Sequence, residues 1–256
     1  MGSNSTTPPT KREEHHAHST LLAGLLVGSL FSGCARSTEP TSNDAAPPMP
    51  SKALTYDFDS APTGQMPPGF TAALTGAGAP GEWRVQQVDD APSGRPVLAQ
   101  LSDDRTNARY PHLVRDDASA RDADISVRFK TLSGAVDASA GIVFRYQDRG
   151  NYYVVRANAL EDNVVAYKTQ NGKRSNIGVS SKGGAYGVEA EVPHQQWNTL
   201  RVIANGPVFE VFLNGRKLFE TEDTTFTAPG KIGVWTKADA VTQFDDLSVT
   251  SLDKSE

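Results

Sequence analysis

The chain has 256 residues, a formal net charge of −5 and a mean hydropathy of −0.44. That acidic balance argues against nucleic acid as a partner and supplies no polybasic patch for lipid headgroups. A single cysteine, Cys34, excludes an intrachain disulfide, so a folded domain must be held by core burial, which about 200 residues can supply.

Residues 1–20 are polar, carry Pro8, Pro9, His15, His16 and His18, and lack hydrophobic periodicity; they are expected to be disordered. Residues 21–31, LLAGLLVGSLF, are too short to span a bilayer, for which about 20 residues are needed, but fit the apolar stretch of a signal peptide. The stretch runs into Ser32-Gly33-Cys34. A small-small-Cys ending resembles a lipobox, in which the cysteine becomes the lipid-modified N-terminus. Phe31 stands where that pattern prefers Leu, and Glu13 and Glu14 offset Lys11 and Arg12. The alternative is an ordinary signal peptide with an incidental cysteine. Residues 1–34 are therefore expected to be a lipoprotein signal, leaving a cell-envelope protein anchored through Cys34. Ala35 at the next position is compatible with the outer membrane of a two-membrane bacterium. Residues 35–53, rich in Pro, Ser, Thr and Asn, form a linker.

From residue 54 to 252 the pattern is that of strands. Expected strands cover 54–58, 83–88, 97–101, 108–113 and 124–132. In the last of these, Ile125, Val127 and Phe129 alternate inward against Ser126, Arg128 and Lys130. Residues 140–169, AGIVFRYQDRGNYYVVRANALEDNVVAYKT, read as a meander of three strands broken at Asp148-Arg149-Gly150-Asn151 and after Asn158. Further strands are expected at 197–203, 208–213, 231–236 and 244–250. Asn214-Gly215 marks a hairpin, because both turn positions need positive φ. About a dozen strands without a helix mean an all-β sandwich or barrel.

The meander GIVFRYQDRGNYYVVRANALEDNVVAYK and the tail KIGVWTKADAVTQFDDLSV resemble the bacterial family named after 3-keto-disaccharide hydrolases, over roughly residues 56–249. The resemblance implies a concanavalin A-like jelly-roll sandwich of two antiparallel sheets, akin to laminin G-like domains. It also implies a carbohydrate-active protein acting on 3-keto- or plain glycosides. A non-catalytic carbohydrate-binding or adhesion module, or a scaffold without a sugar ligand, are the competing readings.

Strand parity selects the candidate site. Tyr152, Val154, Arg156 and Asn158 share one face, and Tyr153, Val155 and Ala157 the other. Arg145, Arg156, Asn158 and Lys237 are expected to form the polar floor of a saccharide groove on the concave face. Trp235 and Asp239 share parity with Lys237, and Trp235 reads equally as a core residue. Glu161 and Asp162 stand at the rim of the groove or in a plain turn. No G-x-S-x-G occurs, nor the Glu-x-Asp-x-x-Glu of laminarinase-like jelly rolls, so no catalytic residue is assigned. His112 and His194 are expected to be exposed or satisfied, and Trp197 to lie in the core. Asp245 and Asp246, with Asp57 and Asp59 of the first strand, are candidate ligands for a structural Ca²⁺, which needs six to eight oxygens.

Overall fold

The structure is a computed structural model and describes residues 53–253 apart from Arg95. The expected signal sequence, with Cys34, and nearly all of the expected linker lie outside the described residues. The first half of the domain supplies β1 (Leu54–Tyr56), β2 (Phe70–Gly76), β3 (Trp83–Gln87), β4 (Pro96–Gln100), β5 (Arg109–Ala120), β6 (Ala123–Ser133), β7 (Ser139–Asp148) and β8 (Asn151–Asn158). The second half supplies β9 (Asn163–Gln170), β10 (Lys173–Ile177), β11 (Val188–Glu189), β12 (Asn198–Asn205), β13 (Val208–Leu213), β14 (Arg216–Glu222), β15 (Gly230–Thr236) and β16 (Val241–Ser251). The expected strands are all present, and β2, β10 and β11 are additional. β2 escapes the sequence pattern because Ala72, Ala73 and Gly76 give it little β character. The one helical turn among the described residues is Ser180–Lys182. Asn214 and Gly215 both take positive φ, 49° and 79°, as the hairpin between β13 and β14 requires.

Two eight-stranded antiparallel sheets face each other as a jelly-roll sandwich. One runs β14-β13-β12-β6-β16-β4-β3, with β1 on β16; the other runs β10-β9-β8-β7-β15-β5-β2, with β11 on β9. Their inner faces make the main core, including Leu98, Ile125, Phe129, Ile142, Phe144, Tyr153, Val155, Phe209, Val234 and Phe244. Ile125, Val127 and Phe129 face inward as the alternation predicts. Trp83 packs on Phe244 in this core. Trp197, expected there, is only half-buried and lies outside beneath the Lys130 ammonium, 5.1 Å from its ring centre. It precedes β12 rather than belonging to it, so strand parity does not govern it.

The outer faces differ. The first sheet shows water an ordinary polar surface of residues such as Ser126, Arg128, Thr199 and Arg201. The second sheet is buried on both sides: in β8 every residue from Tyr152 to Asn158 is buried. Its outer face carries a second cluster, Val114, Val143, Tyr152, Val154, Val165, Tyr167 and Trp235, with Tyr110 and Tyr146 packed on it. Curling produces this. The hydroxyls of Thr75 on β2 and Tyr152 on β8 are 2.9 Å apart, although β5, β15 and β7 intervene. In a flat sheet those strands would stand about 19 Å apart, beyond the reach of the two side chains. The guanidinium of Arg174 on β10 likewise stacks 4.5 Å from the ring of Tyr110 on β5, five strands away. The sheet therefore wraps its outer face into a trough that its own aromatic side chains fill.

His112 lies in this trough between Tyr146 and Tyr152, fully buried on β5, rather than in an exposed or satisfied setting. Its Nδ1 is 3.1 Å from the Tyr110 carbonyl, while its Nε2 has no partner among the described residues.

Candidate functional site

Three loops meet at one end of the trough: 134–138 between β6 and β7, 159–162 between β8 and β9, and 237–240 between β15 and β16. Asp239 joins two of them by accepting the backbone N–H groups of Ala135, Val136 and Asp137 at 2.8 to 3.0 Å. Ala159 N–H donates to the Ala138 carbonyl and closes the third side. Burial pushes the Asp239 carboxyl up, but the three amides outweigh it and hold it below its ordinary value. Arg109, fully buried, braces the neighbouring loop by donating to the carbonyls of Ala79, Pro80 and Ala238. These bonds fix a mouth on which charged side chains gather.

Arg156 is its centre. Strand parity places it on the trough face of β8, as expected, and its side chain is 3% exposed. Its Nη2 reaches Glu161 Oε2 at 2.8 Å, the Tyr167 hydroxyl at 3.2 Å and the Tyr186 hydroxyl at 3.3 Å. Its Nη1 donates to Asn163 Oδ1, and its Nε has no acceptor. Glu161 stands in the turn after β8 and at the rim of the mouth, its side chain 45% exposed. Asn163 Nδ2 donates to the same Oε2, at 3.1 Å. Burial pushes the Glu161 carboxyl up, yet Arg156, Asn163 and Lys237 together hold it below its ordinary value. The carboxylate is therefore ionised at neutral pH, with Oε1 unengaged.

Lys237 joins the same mouth: its Nζ is 2.8 Å from Asp137 Oδ2, and Ser139 Oγ donates to the other oxygen. Asn158 Oδ1 accepts the Leu160 N–H at 2.9 Å and shapes the turn that presents Glu161. Arg156, Asn158, Glu161, Lys237 and Asp239 thus come together, with Asp239 holding a loop rather than facing the opening.

Arg145 does not join them. A β-bulge in β7, where Arg145 takes φ 47°, shifts the register with β8 and inverts the parity beyond it. Tyr146 turns into the trough, and Arg145 turns between the sheets, 5.3 Å above the Phe209 ring. There it binds Asp122 at 3.1 Å and the carbonyls of Arg121, Phe226 and Gly206. It is a structural tie, not part of a groove floor. Trp235 is fully buried in the trough, stacked 5.7 Å from Tyr110 and covered by Arg174, so it offers no open face.

Of the four aspartates proposed as cation ligands, three make other contacts. Asp57 caps the Asp59 N–H; Asp245, buried, accepts the N–H and hydroxyl of Ser93; Asp246 pairs with Arg128 at 3.2 Å. Among the described residues no three potential ligands of acidic, His or Cys type gather in one place.

Three mouth residues carry no signal in the sequence. Asp137 precedes β7, and Tyr167 sits among the apolar residues of β9, where it reads as core. Tyr186 belongs to the glycine-rich loop before β11, which has no periodicity to read. What places Tyr186 is Gly187, at φ 61°: a Cβ there would stand 2.5 Å from Val165 Cγ2, so only glycine lets the loop lie against β9 beside Tyr167.

Residues 69–250 match the family model described as a 3-keto-alpha-glucoside-1,2-lyase-like domain. The chain belongs to that family. It is thereby a carbohydrate-related domain, in keeping with the resemblance seen in the meander and tail. Among solved structures, the carbohydrate-binding module CBM66 from Bacillus subtilis superposes with a TM-score of 0.55 at 20% identity, covering 72% of this chain and 96% of that one. The cellulose-induced protein Cip1 gives 0.53 at 14% identity, covering 79% and 99%. Both show the shared fold. A comparison with curated proteins finds no match.

Proposed function

We propose that the mouth binds a glycoside oxidised to a ketone at C3 and eliminates its aglycone across C1 and C2. The observation that carries this reading is the pairing of a deeply buried cation, Arg156, with one half-exposed carboxylate, Glu161, at an opening shared with Lys237. A C3 ketone acidifies the C2 proton. Its removal gives an enolate that expels the C1 substituent, which needs one base and a cation for the enolate oxygen. Glu161 is an ionised carboxylate with an open oxygen, and Lys237 spends one of its three N–H groups on Asp137. Two-carboxylate hydrolysis fits less well, because the second mouth carboxylate, Asp137, is 1% exposed and tied to Lys237 and Ser139. The family description supports elimination in the same sense. A binding-only module is the second reading, favoured by the fold shared with CBM66. On either reading the protein is held at the cell envelope through lipid on Cys34.

The experiment uses the full chain in detergent with methyl 3-keto-α-glucoside in water enriched in ¹⁸O, followed by mass spectrometry and NMR. An unsaturated ketone with no label at C1 supports elimination. Label at C1 without that intermediate means hydrolysis. A thermal shift without turnover means a binding module.

A further inference from the structure

We infer that Tyr186 is the general acid of the mouth and Glu161 its base, both organised by Arg156. The assignment rests on the elimination reading and adds the identity of the groups that move protons.

Three features single out Tyr186. It is 56% exposed, whereas Tyr152, Tyr153 and Tyr167 are buried. Its hydroxyl, however, points back into the mouth, against Tyr167 and 3.3 Å from Arg156 Nη2. Burial pushes the Tyr167 phenol up to about 12, against the pull of Arg156; the two hydroxyls are hydrogen-bonded, and in the proposed arrangement Tyr167 is the donor. The Tyr186 oxygen then accepts two hydrogen bonds, one from a phenol and one from a guanidinium. Its own O–H is left for a ligand, since no described residue accepts it.

Glu161 mirrors this. Both of its side-chain bonds end on Oε2, which leaves Oε1 open. The same Arg156 nitrogen contacts Glu161 Oε2 at 2.8 Å and the Tyr186 oxygen at 3.3 Å, so the Tyr186 oxygen lies within about 6 Å of the Glu161 carboxylate's Oε2. That spacing suits adjacent ring atoms, with the proton leaving C2 and the oxygen leaving C1.

The step balances without a co-reactant. Glu161 Oε1 takes the C2 proton. The C2–H electron pair passes through the enolate and becomes the C1–C2 double bond as the C1–O1 bond breaks. O1 leaves with the Tyr186 proton, and Arg156 and Tyr167 face the negative charge left on the phenol oxygen. The proton on Glu161 returns to Tyr186 through solvent, so the products are an alcohol and an unsaturated ketone.

The test compares methyl 3-keto-α-glucoside with 4-nitrophenyl 3-keto-α-glucoside, using the full chain in detergent. Methoxide needs a proton to leave; nitrophenolate does not. Tyr186→Phe is expected to slow the methyl glycoside by about 10²–10⁴-fold and leave the nitrophenyl glycoside near the wild-type rate. Glu161→Gln is expected to slow both and to abolish exchange of the C2 hydrogen with D₂O. If Tyr186→Phe slows neither glycoside, or slows both equally at an unchanged melting temperature, Tyr186 is not the acid. If Glu161→Gln still exchanges the C2 hydrogen at the wild-type rate, Glu161 is not the base. A wild-type chain inert toward both glycosides overturns the elimination reading, and this assignment with it.

Discussion

His112 is a base held where protonation is unfavourable. Burial, only partly offset by the Tyr110 carbonyl, pushes its pKa from 6.5 to about 4. The Tyr146 and Tyr152 rings flank it, and no carboxylate among the described residues contacts it. With the folded value below the unfolded one, its contribution to stability is present above pH 6.5 and is lost as pH falls toward 4. A shift of that size corresponds to about 3 kcal/mol. Urea unfolding at pH 7 and pH 4 is expected to show that loss in the wild type, and a markedly smaller one in His112→Phe. An equal loss in both would mean that other groups govern acid unfolding. The sequence could not show this burial: strand periodicity at 108–113 does not reveal that the outer face of the second sheet is covered, and only the curl of that sheet encloses the ring.

At the scale of the strand, β7 and β8 show what periodicity can and cannot reveal. The alternation in β8 is regular, so the sequence alone puts Arg156 and Asn158 on one face. The alternation in β7 looks equally regular, yet its bulge reverses the side chains after Phe144. A bulge needs one residue with unusual φ, and Arg145 carries no glycine-like signal for it. Strand parity makes Arg156 and Asn158 legible, and Glu161, Lys237 and Asp239 stand out as charges just past strand ends; Tyr167, among apolar residues, and Tyr186, in a glycine-rich loop, do not. Arg145 has a testable structural role. Its guanidinium is 2% exposed, and among the described residues Asp122 is the one carboxylate paired with it. Asp122→Asn leaves that charge buried and unpaired, at an expected cost of about 3–5 kcal/mol. Adding Arg145→Met is expected to recover most of the loss, because the cation needing a partner is gone. Denaturant unfolding of the single and double variants checks this. A single variant as stable as the wild type would show that the three carbonyls suffice.

For the molecule as a whole, the position of the chain's entry matters most. β1 pairs Leu54 with Val249, near the C-terminal end of β16, whereas the mouth loop 237–240 precedes the N-terminal end of that strand. The eight residue steps from Val241 to Val249 separate the two by about 26 Å. Whatever tethers the chain upstream of Leu54 therefore attaches at the end remote from the mouth. The linker of residues 35–52 would add a reach of about 55 Å when extended. Both core clusters are built from residues within 53–253, and among those residues no helix is long and apolar enough to cross a membrane. Cys34→Ser is accordingly expected to move the protein from the membrane to the soluble fraction while leaving its melting temperature and its turnover of a small glycoside unchanged. Fractionation followed by thermal unfolding measures both. A Cys34→Ser protein that stays with the membrane would place the attachment elsewhere in the leader or on the surface of the domain. A released protein that melts lower would mean that the leader contributes contacts to the fold.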